Sequence, residues 1–312
     1  MNYGIRKILT AFLTVFLVTL LTFLLMRISP VDPATAYVKR HSPVATEEQI
    51  QAARVQLGLD KPLAVQYTNW IRAALHLDFG MSLGTGHDVT YELGKAIPTT
   101  LLVILFTAVL TLAGILITGC LSYWNRDKPA GKLLSGLSLA GVSIPPFFLA
   151  TVSIDILAVK LGWISVAGNT GLKKYLPAAI CLAVFGTCFY SQMLTSSLRR
   201  EMNEDYAVFA RCRGLSERRI LYRHALPQAM IDLIPSIAQM LTLCLAGAAI
   251  IERIFSLSGI GYLMIDSVVK RDAPMIYGIV LFLAVMVVLF DALADILQHF
   301  LQKGQREEAF SE

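Results

Sequence analysis

Six apolar stretches separated by polar segments dominate the hydrophobic pattern of the chain. Each is close to the roughly 20 residues that an α-helix needs to cross a bilayer core. A run of that length with few charges is typical of a transmembrane helix, so we predict an all-α integral membrane protein with six transmembrane helices. The stretches cover residues 8–28, 100–123, 133–158, 176–198, 229–251 and 275–298.

The first and third stretches differ from simple spans. Residues 8–26 follow a basic N-terminus as in a signal peptide, but they are long enough to span and lack a small-residue cleavage pattern, so we predict a transmembrane helix. The third stretch contains Ser143-Ile144-Pro145-Pro146, whose two prolines remove two backbone donors. We expect this span to kink there, where neighbouring helices or a cavity can satisfy the freed carbonyls.

Basic residues in the loops predict the orientation of the spans. Lysine and arginine concentrate in short cytoplasmic loops, whereas long loops translocate largely regardless of charge. With the N-terminus inside, fourteen basic residues lie in inner segments and six in short outer loops. They are Arg6, Lys7, Arg126, Lys128, Lys132, Arg199, Arg200, Arg211, Arg213, Arg218, Arg219, Arg223, Lys303 and Arg306 inside, and Lys160, Lys173, Lys174, Arg253, Lys270 and Arg271 outside. We therefore predict a multi-pass membrane protein with both termini cytoplasmic.

Two polar segments are too long to be simple turns, and they define the predicted domains. Residues 1–29 form the N-terminal tail and the first transmembrane helix, and residues 30–99 form an extracytoplasmic insert with two helical patterns. Residues 100–312 form the transmembrane core with the other five spans. Within the core, residues 199–227 form a structured cytoplasmic segment that a membrane protein does not need for folding, so we predict a docking site for a partner.

Composition agrees with a membrane protein and excludes other classes. Hydrophobic residues make up 55% and charged residues 16% of the 312 residues, and the mean hydropathy is +0.62. Soluble domains carry about 25% charged residues, and disordered chains are less apolar. The five cysteines form no CxxC pair that would indicate zinc or redox chemistry. The net charge of +5 is not clustered on a soluble face, so we predict no nucleic-acid partner.

The cytoplasmic segment contains a motif with fixed spacing. An alanine-arginine pair, a Gly-Leu-Ser triplet, an Arg-His pair and a Leu-Pro pair follow a tyrosine at defined distances. This pattern resembles the EAA loop of bacterial ABC importer permeases, in the version that is found in the peptide and nickel branch. The resemblance assigns coupling to the ATPase to Tyr206, Ala207, Ala210, Arg211, Gly214, Leu215, Arg223, His224, Leu226 and Pro227.

The residue types of the motif suit a docking element. We expect two short helices, hinged at Gly214 and ended by Pro227, that together make a rigid knob. We expect small residues such as Ala207 and Ala210 to let the knob sit deeply in a partner's cleft, and the arginines to contact the acidic rim of that cleft. The alternative is a basic juxtamembrane loop that contacts only anionic membrane lipid.

The resemblance extends along nearly the whole chain and is to the B-type permease of dipeptide, oligopeptide and nickel importers. It rests on residues 32–34, 57–62, 77–80, 143–145, 251–261 and 271–274. Ser258 stands where a proline is usual, and the family's Asp-Pro-Arg ending is missing. Residues 74–80 are more similar to nickel permeases, so import of nickel or a small metal chelate is the favoured function, with dipeptide or oligopeptide import as the alternative.

The resemblance also implies a fold and a set of partners. It implies the type I permease fold of ABC importers, in a bacterial inner membrane, with a homologous second permease, two ATP-binding subunits and an extracytoplasmic substrate-binding protein. The chain contains no Gly-x-x-x-x-Gly-Lys-Ser/Thr sequence, because its glycine-lysine pairs at 94–95 and 131–132 are followed by Ala96 and Leu133. We therefore expect this chain to hold no cofactor and not to be an enzyme, with ATP and Mg bound by the partner subunits.

Three acidic residues are candidates for the substrate pathway or gate. Glu252 lies at the outer end of the fifth span beside Arg253, where a local ion pair is the equal alternative. Asp291 and Asp295 are four residues apart on one face of the last span, and ionisable residues at membrane depth are functional candidates. An intramembrane enzyme that uses these two aspartates is the distant alternative. No histidine spacing indicates a metal site, so metal ligands stay unassigned.

Overall fold

The computed structural model describes residues 3–28, 32–41, 45–165, 168 and 170–311, and these residues are almost entirely helical. The helices are α1 (Tyr3–Ile28), α2 (Pro33–His41), α3 (Glu47–Gln56), α4 (Leu63–Leu75), α5 (Val89–Trp124), α6 (Pro129–Ser143), α7 (Pro146–Ile154), α8 (Leu172–Glu201), α9 (Asp205–Cys212), α10 (Glu217–Ile220), α11 (Leu226–Ile254), α12 (Ile260–Lys270) and α13 (Ala273–Ser311). Two π-helical turns follow α7 and α10, at Asp155–Lys160 and Leu221–Ala225.

Five helical segments are long and apolar enough to cross a membrane. They are α1, α5, α8, the continuous helix Glu217–Ile254 and most of α13. Helices α6 and α7 make a further candidate, because together they pass the same criteria but are bent by 90° at a short break. Counting this bent pair as one span gives the six that the sequence predicts. The break contains Pro145, and Pro146 begins α7, so the predicted kink is confirmed.

Helix α5 begins earlier than its apolar stretch. It starts at Val89, eleven residues before the predicted span, and continues through Pro98 without a break. Residues 89–99, which the sequence assigns to the insert, are therefore helical. The early start has a packing reason, since Val89 and Leu93 are buried against Ile260 and Met275 in an apolar cluster.

The chain divides into two compact units. The first contains Met1–Thr99 and Ser258–Val288, and the second contains Thr100–Leu257 and Leu289–Glu312. In the second unit, α8 packs against α6, α7 and α11. Small residues permit these close contacts: a Cβ atom added to Gly141 would lie 2.3 Å from the Cys188 sulfur. Such small residues at helix interfaces are typical of membrane bundles, because they let the backbones approach.

Candidate functional site

The segment 199–227 contains the expected turn between two short helices. Helix α9 ends at Cys212, Gly214 follows with a φ angle of +80°, and Ser216 caps the start of α10 by accepting from the Arg219 amide. An added Cβ on Gly214 would meet nothing within 4 Å. The glycine is therefore required for its left-handed backbone and not for space.

Pro227 does not end the second helix, so that expectation was wrong. Residues Glu217–Ile254 form one continuous helix of 38 residues, and Pro227 lies in the first turn of α11. The wide π-turn just before it explains the continuity, because the Leu226 amide donates to the Leu221 carbonyl, five residues back. This local change of hydrogen-bond register accommodates a residue that lacks an N–H and would otherwise clash with the preceding turn.

The small residues of the motif face the chain's own core and not outward. Ala207 and Ala210 are 0% and 9% exposed, and they belong to an apolar cluster with Met202, Ile220 and Leu221. The expectation that these alanines insert into a partner's cleft was therefore wrong. They let α9 lie close against the helices behind it, which is the usual effect of alanine at a tight helix contact.

The outward face of α9 is apolar, and the sequence analysis overlooked it. Val208 and Phe209 are 46% and 69% exposed, and Tyr222 on the π-turn is 51% exposed. A helix that places alanine on one face and phenylalanine on the other has its large side chains available for a partner.

Two motif residues fasten the segment to the end of α8. The Tyr206 hydroxyl donates to the Glu201 carboxylate at 3.1 Å. Arg211 pairs with Glu217 at 2.6 Å and donates to the Met202 carbonyl at 2.8 Å. Burial raises the pKa of Tyr206, and the negative charge of Glu201 raises it further. Arg211 is thus engaged within the chain, whereas the sequence suggested that it contacts a partner.

The remaining motif residues divide between the core and the surface. Leu215 and Leu226 are partly buried against the apolar cluster. Arg223 is exposed and His224 is half-buried. Of Leu215, Arg223, His224 and Leu226, Arg223 is the one with an exposed side chain that a partner could contact.

The pathway candidates lie in very different surroundings. Glu252 is fully buried, and Thr100 donates a hydrogen bond to its carboxylate at 2.6 Å. Asp291 is exposed and Asp295 is half-buried, one turn apart on α13. In the described part of the chain, no three His, Cys, Asp or Glu side chains group closely enough to hold a metal ion.

A buried carboxylate in the first unit was missed by the sequence analysis. Asp272 is 2% exposed and accepts from the Ser82 hydroxyl and from the amides of Leu83 and Gly84, at 3.0 and 2.9 Å for the amides. It also precedes α13 and accepts from the Met275 amide at 3.4 Å. A single side chain thus holds a loop and caps a helix, as aspartate commonly does at helix N-termini.

Comparison with known proteins gives the chain a family. Residues 111–307 match the family described as binding-protein-dependent transport system inner membrane component, and residues 1–104 match its N-terminal companion. The chain belongs to this family. It is an ABC importer permease and not an enzyme, a multi-pass protein of the inner membrane that works with ATPase subunits and a substrate-binding protein. The hypothesis of an intramembrane enzyme at Asp291 and Asp295 is therefore wrong.

The relatives cover almost the entire chain. A provisionally named peptide transport system permease protein of Brucella abortus (strain 2308) is 32% identical, over 94% of this chain and 95% of its own. The glutathione transport system permease protein GsiC of Escherichia coli (strain K12) is 29% identical, over 95% and 96%. These names favour the peptide alternative over nickel, which gains no support.

Solved structures show the same fold. The MetNI methionine ABC transporter, in an inward facing conformation, matches with a TM-score of 0.58 at 18% identity, over 68% of this chain and 96% of the other. An amino acid ABC transporter crystallised with histidines matches with a TM-score of 0.51 at 16% identity, over 67% and 94%. The predicted type I permease fold is confirmed.

Proposed function

We propose that this permease imports small peptides and forms half of the translocation pathway, with a homologous second permease as the other half. The observation that carries this proposal is the similarity, over about 95% of both chains, to permeases named for peptide and glutathione transport. Peptides and glutathione share amide bonds and a free C-terminal carboxylate, so the proposed substrate class is short peptides.

We further propose that the ATPase docks on the segment 199–227 through its apolar outer face. Val208, Phe209 and Tyr222 provide exposed apolar area, and Arg223 adds a charge beside it. Large aromatic side chains that enter a pocket commonly dominate the binding energy of an interface. In this proposal the other motif residues hold the segment in shape, and both termini lie in the cytoplasm beside the ATPases.

The proposed mechanism is alternating access powered from outside the chain. The ATPase subunits bind ATP and Mg and close on each other, and the segment 199–227 moves with the surface on which it docks. The spans then switch between inward-facing and outward-facing arrangements, and nucleotide biases this two-state equilibrium. We propose that Glu252, Asp291 and Asp295 lie along the pathway or its gate. Glu252 is fully buried and accepts a hydrogen bond from Thr100 in the structure.

Replacement of Phe209 tests the docking surface. Phe209→Ala should lower peptide uptake and peptide-stimulated ATP hydrolysis about tenfold, because it removes an interface anchor. Phe300→Ala is the matched control, since Phe300 is 78% exposed and lies outside the segment. Both variants should reach the membrane in normal amounts. Normal uptake with Phe209→Ala would refute the docking surface.

Competition between substrates tests the transport proposal. In proteoliposomes with the complete transporter, we expect saturable uptake of radiolabelled dipeptide that unlabelled tripeptides and glutathione inhibit. Metal import rests only on the resemblance of residues 74–80 to nickel permeases. Uptake of nickel, with or without free histidine, that peptides do not inhibit would overturn peptide import in favour of nickel.

A further inference from the structure

A stripe of side chains on α1 packs against α4 and leads to a cavity. Phe16, Thr19 and Phe23 lie at helical spacing, and each meets Tyr67 of α4: the Thr19 and Tyr67 hydroxyls are 3.0 Å apart, and the Phe23 and Tyr67 rings 5.4 Å. Arg27 continues this stripe, one residue before the end of the span. Helix α4 therefore packs along the half of α1 that ends at Ile28.

The cavity lies beside Arg27, near the end of α1 and within the first unit, and has a volume of about 380 Å³. That volume is within the range of small-molecule sites, about 300–1,000 Å³. Its walls combine polar and aromatic groups. The residues that line it include Phe23, Arg27, Lys61, Gln66, Trp70 and Tyr277.

Arg27 is held in place from two sides. Its guanidinium lies over the Phe23 ring, 5.2 Å from the centroid, and donates to the Gln66 side-chain oxygen. Gln66 in turn donates to the carbonyls of Leu59 and Lys61, at 3.2 and 2.6 Å. The arginine is thus pre-oriented at the wall of the cavity, which lowers the entropic cost of binding a ligand.

Two residues that line the cavity carry donors that lack acceptors. The Nε atom of Arg27 and the Nε1 atom of Trp70 are both buried, and neither has a hydrogen-bond partner in the described structure. Both groups can only donate. A buried donor without an acceptor is costly, so a ligand that brought an acceptor to either atom would be bound more tightly.

The charge of the cavity selects the acceptor. Arg27 and Lys61 are both cationic, and none of the described residues that line the cavity is acidic. A ligand with anionic oxygens would satisfy both cations and the Trp70 donor, whereas a ligand with an ammonium group would find no counter-ion. Arginine with neighbouring donors is a common arrangement for binding phosphate.

We propose that this cavity binds the phosphate group of an anionic phospholipid. The location at the end of a span is where headgroup phosphates lie, and tryptophan, tyrosine and arginine are typical of that depth. The aromatic wall, in which the Trp70 and Tyr277 rings are 5.4 Å apart, would pack on the glycerol and the first acyl carbons. With the N-terminus inside, the lipid belongs to the outer leaflet. The proposal does not depend on the transported substrate.

Lipid retention by the complete, detergent-purified transporter tests the proposal. After delipidation, phosphatidylglycerol is titrated and the bound lipid is counted by native mass spectrometry, beside phosphatidylcholine and inorganic phosphate. We expect phosphatidylglycerol to bind and to raise the melting temperature, with about tenfold weaker binding in Arg27→Gln. Arg72→Gln is the matched control, because Arg72 is an exposed arginine on α4 outside the cavity lining.

Two further variants separate ligand binding from folding. Arg27→Gln also removes the bond to Gln66, whereas Lys61→Gln and Trp70→Phe leave that bond in place and should each weaken binding about threefold. Binding that is the same in these three variants as in the parent protein would overturn the site. Stabilisation by inorganic phosphate without binding of phosphatidylglycerol would overturn the lipid as the occupant and assign a soluble phosphate.

Discussion

The turn at Gly214 and the loop at residues 82–84 are both short connections that lie against helices, but they are held in opposite ways. Several contacts stabilise the turn together. They are the packing of Ala207 and Ala210, the hydrogen bond of the Tyr206 hydroxyl and the Arg211 ion pair. The loop depends on one carboxylate, that of Asp272. The turn should therefore keep its position when any one of these contacts is removed, whereas the loop should lose its position when Asp272 alone is replaced.

Replacement of Asp272 should have the largest effect. Asp272→Asn turns an acceptor of several hydrogen bonds into a group that is half donor, so buried amides lose their partner at a cost of about 3 kcal/mol. Asp266→Asn in the same unit is the control, because its partly exposed pair with Lys270, 2.7 Å apart, should contribute less than about 1 kcal/mol. Thermal unfolding of the purified transporter measures both. Equal melting temperatures of the Asp272→Asn and Asp266→Asn variants would contradict the conclusion that the loop depends on Asp272.

Replacement of Gly214 should come next. Gly214→Val forces a β-branched residue into a left-handed conformation, at a cost of about 2 kcal/mol. Uptake and substrate-stimulated ATP hydrolysis should be lost while membrane insertion stays intact. Gly214→Asn is the matched variant, because asparagine tolerates this backbone and should keep most of the activity. Normal uptake by Gly214→Val would remove the turn from the coupling path.

Replacement of Arg211 should have a smaller effect. Arg211→Gln loses the pair with Glu217 and weakens the bond to the Met202 carbonyl, for a loss of about 1.5 kcal/mol. Arg218→Gln alters an exposed arginine of the same segment and should change stability by less than about 0.5 kcal/mol. If the two variants unfold at the same temperature, Arg211 does not fasten the segment.

Replacement of Tyr206 should have the smallest effect. Tyr206→Phe removes one hydrogen bond to Glu201, a loss of about 1 kcal/mol. The raised pKa of Tyr206 means that the native state favours the protonated hydroxyl. Its contribution is therefore complete below the ordinary tyrosine pKa of about 10 and declines only at higher pH. The difference in melting temperature between the two proteins should stay constant from about pH 7 to 9, and a difference that disappears in that interval would contradict the assigned bond.

Local signals explain what the sequence predicts well. The apolar stretches, the Pro145-Pro146 break and the Gly214 turn each depend on residues that are close in the chain, so periodicity and backbone restrictions are sufficient. The aspartate before Ala273 is also a local signal for a helix N-cap, and it was available for Asp272. The preference for aspartate at helix N-caps therefore predicts the role of Asp272 at the start of α13, but not its bond to Ser82.

Contacts between distant residues explain what the sequence does not predict. Asp272 and Ser82 are 190 residues apart, and Glu252 and Thr100 are 152 residues apart. Contacts over such distances produce no periodic pattern in the sequence. The orientation of Ala207 and Ala210 was misjudged because helical spacing identifies a face without saying what covers it. The prediction for Pro227 was wrong because a π-turn has no simple signature in sequence. The π-turn at Leu221–Ala225 lets the helix continue through a proline, which normally ends a helix.

The unbroken helix Glu217–Ile254 has a mechanical consequence. Its 38 residues make a shaft of about 57 Å, at 1.5 Å per residue. One end follows directly on the turn at Gly214, and the other carries the enclosed Glu252. If the helix moves as a rigid body about its Gly214 end, a tilt of a few degrees displaces the end that carries Glu252 by several ångströms. Because the helix continues through Pro227, one element joins the turn at Gly214 to Glu252.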